Sequence, residues 1–438
     1  MRAKLAQLLS HKLNRDIAWT FGSFAVLAAS GILMNLLIAA FRDAESLGVF
    51  NIAYAVYLIG SQFAVMGVHY SVLRYSAYHA EDATTRGTML GSAMLLSLFM
   101  GLFAGAALFL AQPLFQLIFG SEAIATSIRY AALGLLLFPL NKVLISTING
   151  LRHMRAFAVL QSLRYLTVLV AVAVVCLSDV PFHFAPLSFF VAEVITSVAS
   201  LAYLARAGAL SQLGVQQYWL KHHLSFGSKA AIGGIFLDMN TRLDVLILGS
   251  MLSAREVGIY SFAAMLVDGV QHILAIIRVN FNPVLVAAVR DHDWPQATTL
   301  LRQSKKFVTL GVAVLSACIL LGFWVIVNYV VPEKGFAEAT ASLLVLLAGF
   351  TLIAGFAPFD NLLMATGHPF SQTVQTTSIT LVNILCCLTL VPSMGILGAA
   401  LGTALGYVAG LVVLLLLSYR LLGWNMLTNQ PPAIKATA

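Results

Sequence analysis

The sequence predicts an all-α integral membrane protein: twelve spanning helices in two six-helix lobes, with both termini cytoplasmic. Three observations carry this expectation. The 438 residues are 60% hydrophobic and only 10% charged, with no long polar block, a composition outside the range of soluble domains. Twelve apolar runs approach or exceed the roughly 20 residues needed to cross about 30 Å of hydrocarbon. Three short motifs also occur twice, in the same order, about half a chain apart.

In chain order, residues 1–16 form a basic N-terminal segment. Its stretch RAKLAQLLSHKLNR sets Leu5, Leu8, Leu9 and Leu13 on one helical face, which reads either as an interfacial helix or as a frayed tail that only sets orientation. The spans follow at 17–39, 48–72, 88–110, 129–149, 157–178 and 184–205, making an N-lobe of 17–205. A cytoplasmic linker, 206–225, precedes a C-lobe of 226–420 with spans at 226–249, 257–280, 307–330, 341–366, 371–391 and 396–420. Residues 421–438 form a cytoplasmic tail. The stretch 281–306, with Arg302, Lys305 and Lys306, either attracts anionic lipid or is a solvated connector.

Basic residues set the orientation. With the N-terminus inside, 16 of the 25 Lys and Arg fall on cytoplasmic segments, 3 (Arg42, Arg255, Lys334) fall outside, and the remaining 6 lie within spans. This asymmetry follows the positive-inside rule, so the formal charge of +8 is topological and implies no nucleic-acid partner. The four cysteines, Cys176, Cys318, Cys386 and Cys387, lie in apolar runs without metal-ligand spacing, so neither disulfide, metal nor other cofactor is expected.

The repeats indicate a duplication. Phe21-Gly22-Ser23 returns as Phe226-Gly227-Ser228, Gly48 of ESLGVFNIAYAV returns as Gly258 of REVGIYSFAAML, and PLNKVLIST from Pro139 returns as PFDNLLMAT from Pro358. The offsets are 205, 210 and 219 residues. Halves with an even number of crossings point the same way, so an axis along the membrane normal relates them, with substrate expected between them near the midplane.

Charges inside the spans are the candidate site, because each costs at least roughly 2.5–3.5 kcal/mol near the bilayer centre and persists where a wet, protein-lined interior receives it. Asp238 and Arg242 stand four residues apart on one helical face, either as a mutually neutralising pair or with a transport role; Asp244 follows nearer the outer end. Asp268 and His272 repeat the spacing as either a proton-accepting unit or a structural hydrogen bond, and Arg278 lies beyond them. Lys142 sits about 19 Å into its helix, just after Pro139. Arg164 either snorkels toward lipid or faces inward. Glu193 and Asp360 are isolated buried carboxylates, and Lys229 stands near the start of its span. Anion-binding candidates are therefore Arg242, Arg278, Lys142 and Lys229, because Arg forks suit phosphate oxygens. Ion-coupling candidates are Asp238, Asp268, His272, Asp360, Asp244 and Glu193, driven by a proton or sodium gradient.

LDVLILGSMLSAREVGIYSFAA from Leu243, LGVFNIAYAV from Leu47, GVHYSVLRYSA from Gly67 and MGILGAALGTALGY from Met394 resemble the polysaccharide flippase branch, the O-antigen or Wzx-like translocases, of the multidrug, oligosaccharidyl-lipid and polysaccharide (MOP) exporter superfamily. The resemblance implies a MATE-like fold and translocation of an undecaprenyl-pyrophosphate-linked oligosaccharide from the inner to the outer leaflet of the bacterial cytoplasmic membrane. It adds Arg42 and Arg74 to the substrate-binding positions and carries over Asp244. Expected partners are the lipid-linked oligosaccharide, membrane lipids, and polymerase or chain-length proteins of the glycan pathway. The chain lacks the two extra helices of the peptidoglycan-precursor flippases, which disfavours that cargo.

No GxxxxGK[ST] loop, GxSxG elbow or HExxH motif is present, so a secondary carrier is expected rather than an enzyme. Two rivals stay open. A multidrug or cation antiporter of the same superfamily would need a net acidic cavity. A membrane enzyme of glycan assembly would need a large outer loop or a reactive cluster at a membrane surface.

Overall fold

An apolar backbone in hydrocarbon satisfies its N–H and C=O groups within its own segment only as a helix, so the apolar runs have to be helical. The computed structural model describes residues 2–240, 242–291 and 293–430, with side chains at 2–14, 17, 232–240, 279, 283 and 290 outside the described set. Among the described residues no strand forms, and only an isolated bridge joins Asn425 to Gln430. Among the described residues ten helices are long and apolar enough to cross a membrane, or eleven if the bent pair Glu122–Leu135 and Phe138–Gly150 counts as one span. The protein is therefore a multi-pass membrane protein. The remaining expected span, 226–249, falls on two described helices, Gln217–Asn240 and Leu243–Met251.

Contacts divide the chain into two units, Met1–Arg242 and Leu243–Ala438. The division falls inside the span expected over 226–249.

The first unit holds α1 (Arg2–Phe41), α2 (Ala44–Val65), α3 (Val68–Tyr78), α4 (Ala83–Leu110), α5 (Gln112–Phe119), α6 (Glu122–Leu135), α7 (Phe138–Gly150), α8 (Met154–Leu177), α9 (Leu187–Arg206) and α10 (Gln217–Asn240). Asp43 caps α2 by accepting from the Ser46 amide at 2.7 Å, and Asp82 caps α4. The Thr85 hydroxyl and amide, with the Thr84 amide, hold the Asp82 carboxyl below the usual carboxylate range. The outer loop expected over 111–128 is helical, filled by α5 and the start of α6.

Two breaks shape this unit. Met66 (φ 42°) and Gly67 (φ 69°) take left-handed backbone between α2 and α3, and Gly67 lies against Gly227 of α10. A methyl group on Gly227 would stand 2.6 Å from the Met66 carbonyl oxygen, so only glycine permits this approach. The second break bends α6 against α7 by 42°, with Pro139 in the first turn of α7, as its missing N–H requires.

The second unit holds α11 (Leu243–Met251), α12 (Ala254–Arg290), α13 (Trp294–Gln303), α14 (Thr309–Val325), α15 (Thr340–Ala354), α16 (Leu362–Ala365), α17 (Pro369–Met394) and α18 (Ile396–Leu417). Ser253 and Glu256 form a reciprocal capping box at the start of α12. Gly398, Gly402, Gly406 and Gly410 recur every four residues along α18 and lie against α17. A Cβ would meet the Leu390 carbonyl at 2.6 Å from Gly398, Cys387 Sγ at 2.9 Å from Gly402 and the Ile379 carbonyl oxygen at 2.8 Å from Gly406. In lipid, where apolar burial drives no association between helices, this small-residue row lets two backbones approach closely.

Pro358 interrupts the tenth expected span as Pro139 interrupts the fourth, leaving a short 3-10 turn, Ala357–Phe359, between α15 and α16. After α18 the chain folds back onto this unit. Trp424 and Met426 are buried with Leu285, Leu301, Phe359 and Leu414, while Lys305 Nζ donates to the carbonyls of Met426 and Leu427.

Candidate functional site

Two polar clusters lie within the spans, one in each unit.

In the first unit the cluster centres on Glu193 of α9, whose side chain is fully enclosed. A carboxylate buried this deeply needs donors on both oxygens, and it has them. Arg164 Nε donates to Oε1 at 2.7 Å, the Tyr57 hydroxyl donates to the same oxygen at 3.1 Å, and Asn141 Nδ2 donates to Oε2 at 2.5 Å. Four helices, α2, α7, α8 and α9, thus meet at one carboxylate.

Cations and rings surround it. Arg164 lies 5.3 Å from the centre of Phe138 and 5.5 Å from that of Tyr165, and Lys142 Nζ lies 5.4 Å from Phe138. Arg242, at the end of the unit, lies 5.5 Å from the Tyr54 ring, which packs on Phe189 at 5.6 Å. Tyr57 stacks on the same Phe189 at 4.5 Å. These contacts bring Lys142, Arg164 and Arg242 into one aromatic-lined cluster that holds a single described carboxylate. Ring faces attract cations electrostatically and lower the cost of placing them inside a span.

Arg164 does not snorkel. It shares the α8 face of Leu160 and Val168, both buried, while Val159, Leu166, Val170 and Val174 form the exposed stripe. The buried carboxylate draws the guanidinium inward, which its position near one end of the span did not reveal.

In the second unit the carboxylates dominate. Asp244 of α11 accepts from the Tyr260 hydroxyl at 2.7 Å, and a polar chain continues through Thr403 (3.4 Å) to Asn383 (3.4 Å) and Cys387 (3.1 Å). Asp360 accepts from Arg278 Nη1 at 2.6 Å and from Gln375 Nε2 at 2.8 Å. Tyr407 of α18 is the common electrostatic neighbour of Asp244, Asp268 and Asp360. Three carboxylates therefore lie within electrostatic reach of one hydroxyl, with Arg278 paired to Asp360.

The other expected residues distribute differently. The Asp268–His272 spacing does not bring imidazole to carboxylate: His272 Nδ1 donates to the Asp268 main-chain carbonyl at 2.6 Å, because a helical i, i+4 partner also presents its backbone oxygen. Arg42 Nη2 donates to the carbonyls of Val175 (2.6 Å), Ser178 (2.7 Å) and Val180 (3.3 Å), capping the C-terminal end of α8, roughly 16 Å along that helix from Arg164. Arg74 is set among Tyr75, Tyr78 and Phe226 at 5.2–5.7 Å. Lys229 is exposed on α10. The side chain of Asp238 lies outside the described residues, so its pairing with Arg242 is not placed.

Tyr57, Asn141, Tyr260 and Gln375 are polar nodes that the sequence reading passed over. The duplication held a signal for one of them. Asn141 stands two residues after Pro139, and Asp360 stands two after Pro358, so the same repeat position supplies a polar node in each unit.

Helical units with broken helices, and charges gathered inside rather than at a surface, define the fold class of a multi-pass membrane transporter. The family described as polysaccharide biosynthesis protein matches residues 13–289, and the chain belongs to it. No curated protein matches the chain by sequence.

Among solved structures, the chain is similar to an inward-facing multidrug resistance MATE family transporter of the MOP superfamily, with TM-score 0.73, 14% identity, 96% of this chain and 100% of that one covered. It is also similar to the lipid II flippase MurJ in an inward closed conformation, with TM-score 0.70, 14% identity, 91% of this chain and 87% of that one covered. A third is a MOP superfamily transporter from Pyrococcus furiosus Vc1, whose binding pocket is described as having reverse polarity that suggests a different function. Its TM-score is 0.56 at 13% identity, covering 93% of this chain and 95% of that one. At these identities the likeness establishes the MOP fold.

Proposed function

We propose that the protein is a flippase for an undecaprenyl-pyrophosphate-linked oligosaccharide, an O-antigen or exopolysaccharide repeat unit, in the bacterial cytoplasmic membrane. The observation that carries this reading is the division of charge. The cluster of the first unit holds Lys142, Arg164 and Arg242 around aromatic rings with Glu193 as its described acid, whereas the second holds Asp244, Asp268 and Asp360 with Arg278. An anionic head group is matched by the first and repelled by the second.

Arg forks take phosphate oxygens in pairs, and Lys adds a point charge. The polyprenyl tail stays in hydrocarbon, so only the head group needs a polar route. Protons or sodium ions entering the carboxylates of the second unit reset the carrier in alternating access. Membership of the polysaccharide biosynthesis family supports the cargo class, and the MurJ likeness supports a fold able to move a lipid-linked saccharide.

The acid cluster of the second unit favours one rival, an antiporter exporting organic cations, and a multidrug resistance transporter is among the fold relatives. Proteoliposomes decide between them. Purified protein should accelerate the leaflet exchange of a labelled polyprenyl-pyrophosphate saccharide under a proton or sodium gradient and leave cationic dyes unmoved. Dye transport without lipid exchange would replace the flippase reading by the antiporter.

A further inference from the structure

Resting on the flippase reading, we propose that Arg164 is the fork that recognises the pyrophosphate of the head group, and that Glu193 is its positioning residue rather than a coupling carboxylate.

Glu193 is saturated: Arg164, Tyr57 and Asn141 occupy both of its oxygens. A coupling group must exchange its ligand, and one locked by donors from three helices is poorly suited to do so. The same contacts suit a different task. Glu193 holds Arg164 through Nε, the edge nearest the helix, and Nη2 makes only a long 3.4 Å contact to the Tyr57 hydroxyl.

The Tyr165 hydroxyl is the guanidinium's remaining neutral neighbour, and the side chain keeps 15% of its surface open. Phe138 and Tyr165, at 5.3 and 5.5 Å, restrict the guanidinium plane. Nε is gripped, the plane is fixed, and the Nη pair is presented beside Lys142, which lies on the same Phe138 ring. Such a pre-oriented fork matches two oxygens at a fixed spacing, as a diphosphate offers, and loses little entropy on binding.

A plain interhelical clamp would use the same ion pair, so the test reads ligand preference rather than stability. Farnesyl pyrophosphate and farnesyl monophosphate are titrated against the full-length protein in detergent, with unfolding temperature measured in parallel. Wild type should prefer the pyrophosphate. Arg164→Lys keeps the charge and the ion pair but removes the fork, so pyrophosphate affinity should fall about tenfold, the worth of one charge-assisted hydrogen bond, with monophosphate affinity and unfolding temperature nearly unchanged. Glu193→Gln keeps an acceptor for Nε at reduced grip and should erode the preference in the same direction.

An unchanged preference in a folded Arg164→Lys protein would reduce Arg164 to a clamp. If Arg164→Lys fails to fold, an undiminished preference in Glu193→Gln overturns the positioning role. Wild type that binds neither probe would instead remove the flippase reading on which this rests.

Discussion

Arg278 Nη1 stands 2.6 Å from Asp360 Oδ2, joining α12 to the break between α15 and α16. Both side chains are about one-third exposed, at 33% and 35%, so the pair is screened and contributes about 1 kcal/mol or less to stability. Its consequence is for binding, since Asp360 occupies the guanidinium that sequence reasoning assigned to an anion. Asp360→Asn should release Arg278, strengthen polyprenyl-pyrophosphate binding several-fold in a titration and leave the fold intact. Weaker binding in that variant would exclude Arg278 from the anion site.

The glycine row on α18 should be intolerant of side chains. Gly406→Leu puts a branched chain against the Ile379 carbonyl and Asn383, and overpacking of this kind costs about 1–3 kcal/mol or more. Size-exclusion profiles and unfolding temperature in detergent should show a destabilised protein. Gly311→Ala and Gly322→Ala on α14, where a Cβ meets nothing within 4 Å, should be neutral or slightly stabilising. Equal effects at both sets of positions would contradict the packing of α17 on α18.

Arg42→Ala should act on stability rather than on cargo. The substitution leaves the carbonyls at the end of α8 without their cation, which costs about 1.5–3 kcal/mol for hydrogen bonds to a charged group. Pyrophosphate affinity should be unchanged, whereas Lys142→Ala or Arg242→Ala should lower it about tenfold. A large affinity loss in a stable Arg42→Ala protein would return Arg42 to the binding site.

The segment after α18 should behave as part of the second unit. Trp424 is 0% exposed and packs on Phe359 and Trp294 at 5.9 and 5.7 Å, so Trp424→Ala should cost about 3–5 kcal/mol. Limited proteolysis should then cleave within 423–430, a stretch that wild type protects. Equal cleavage in both proteins would mean that Lys305 and Trp424 do not hold it.

Much of the architecture was legible along the chain because the bilayer imposes a length on every crossing. The expected spans coincide with the helices, and Pro139 and Pro358 fall where the fourth and tenth crossings break, each removing a backbone donor. The seventh expected span is shared between α10, in the first unit, and α11, in the second, and hydropathy along the chain carries no mark of that division.

The candidate site divided in the same way. That Lys142, Arg242, Glu193 and Asp360 lie inside spans is a local property, since a charge embedded in an apolar run is costly wherever the helix packs. Which charges neutralise one another is not local. Arg164 meets Glu193 from 29 residues away and Arg278 meets Asp360 from 82, and nothing in helical periodicity ranks those partners above others. The sequence alone determined the membrane class, the all-helical fold and the presence of embedded charge, all of which follow from hydrophobicity read along one dimension. Only the tertiary structure decided that cations gather in the first unit and carboxylates in the second, because helix packing over a few ångströms sets which buried charge finds a counter-ion and which keeps donors to offer.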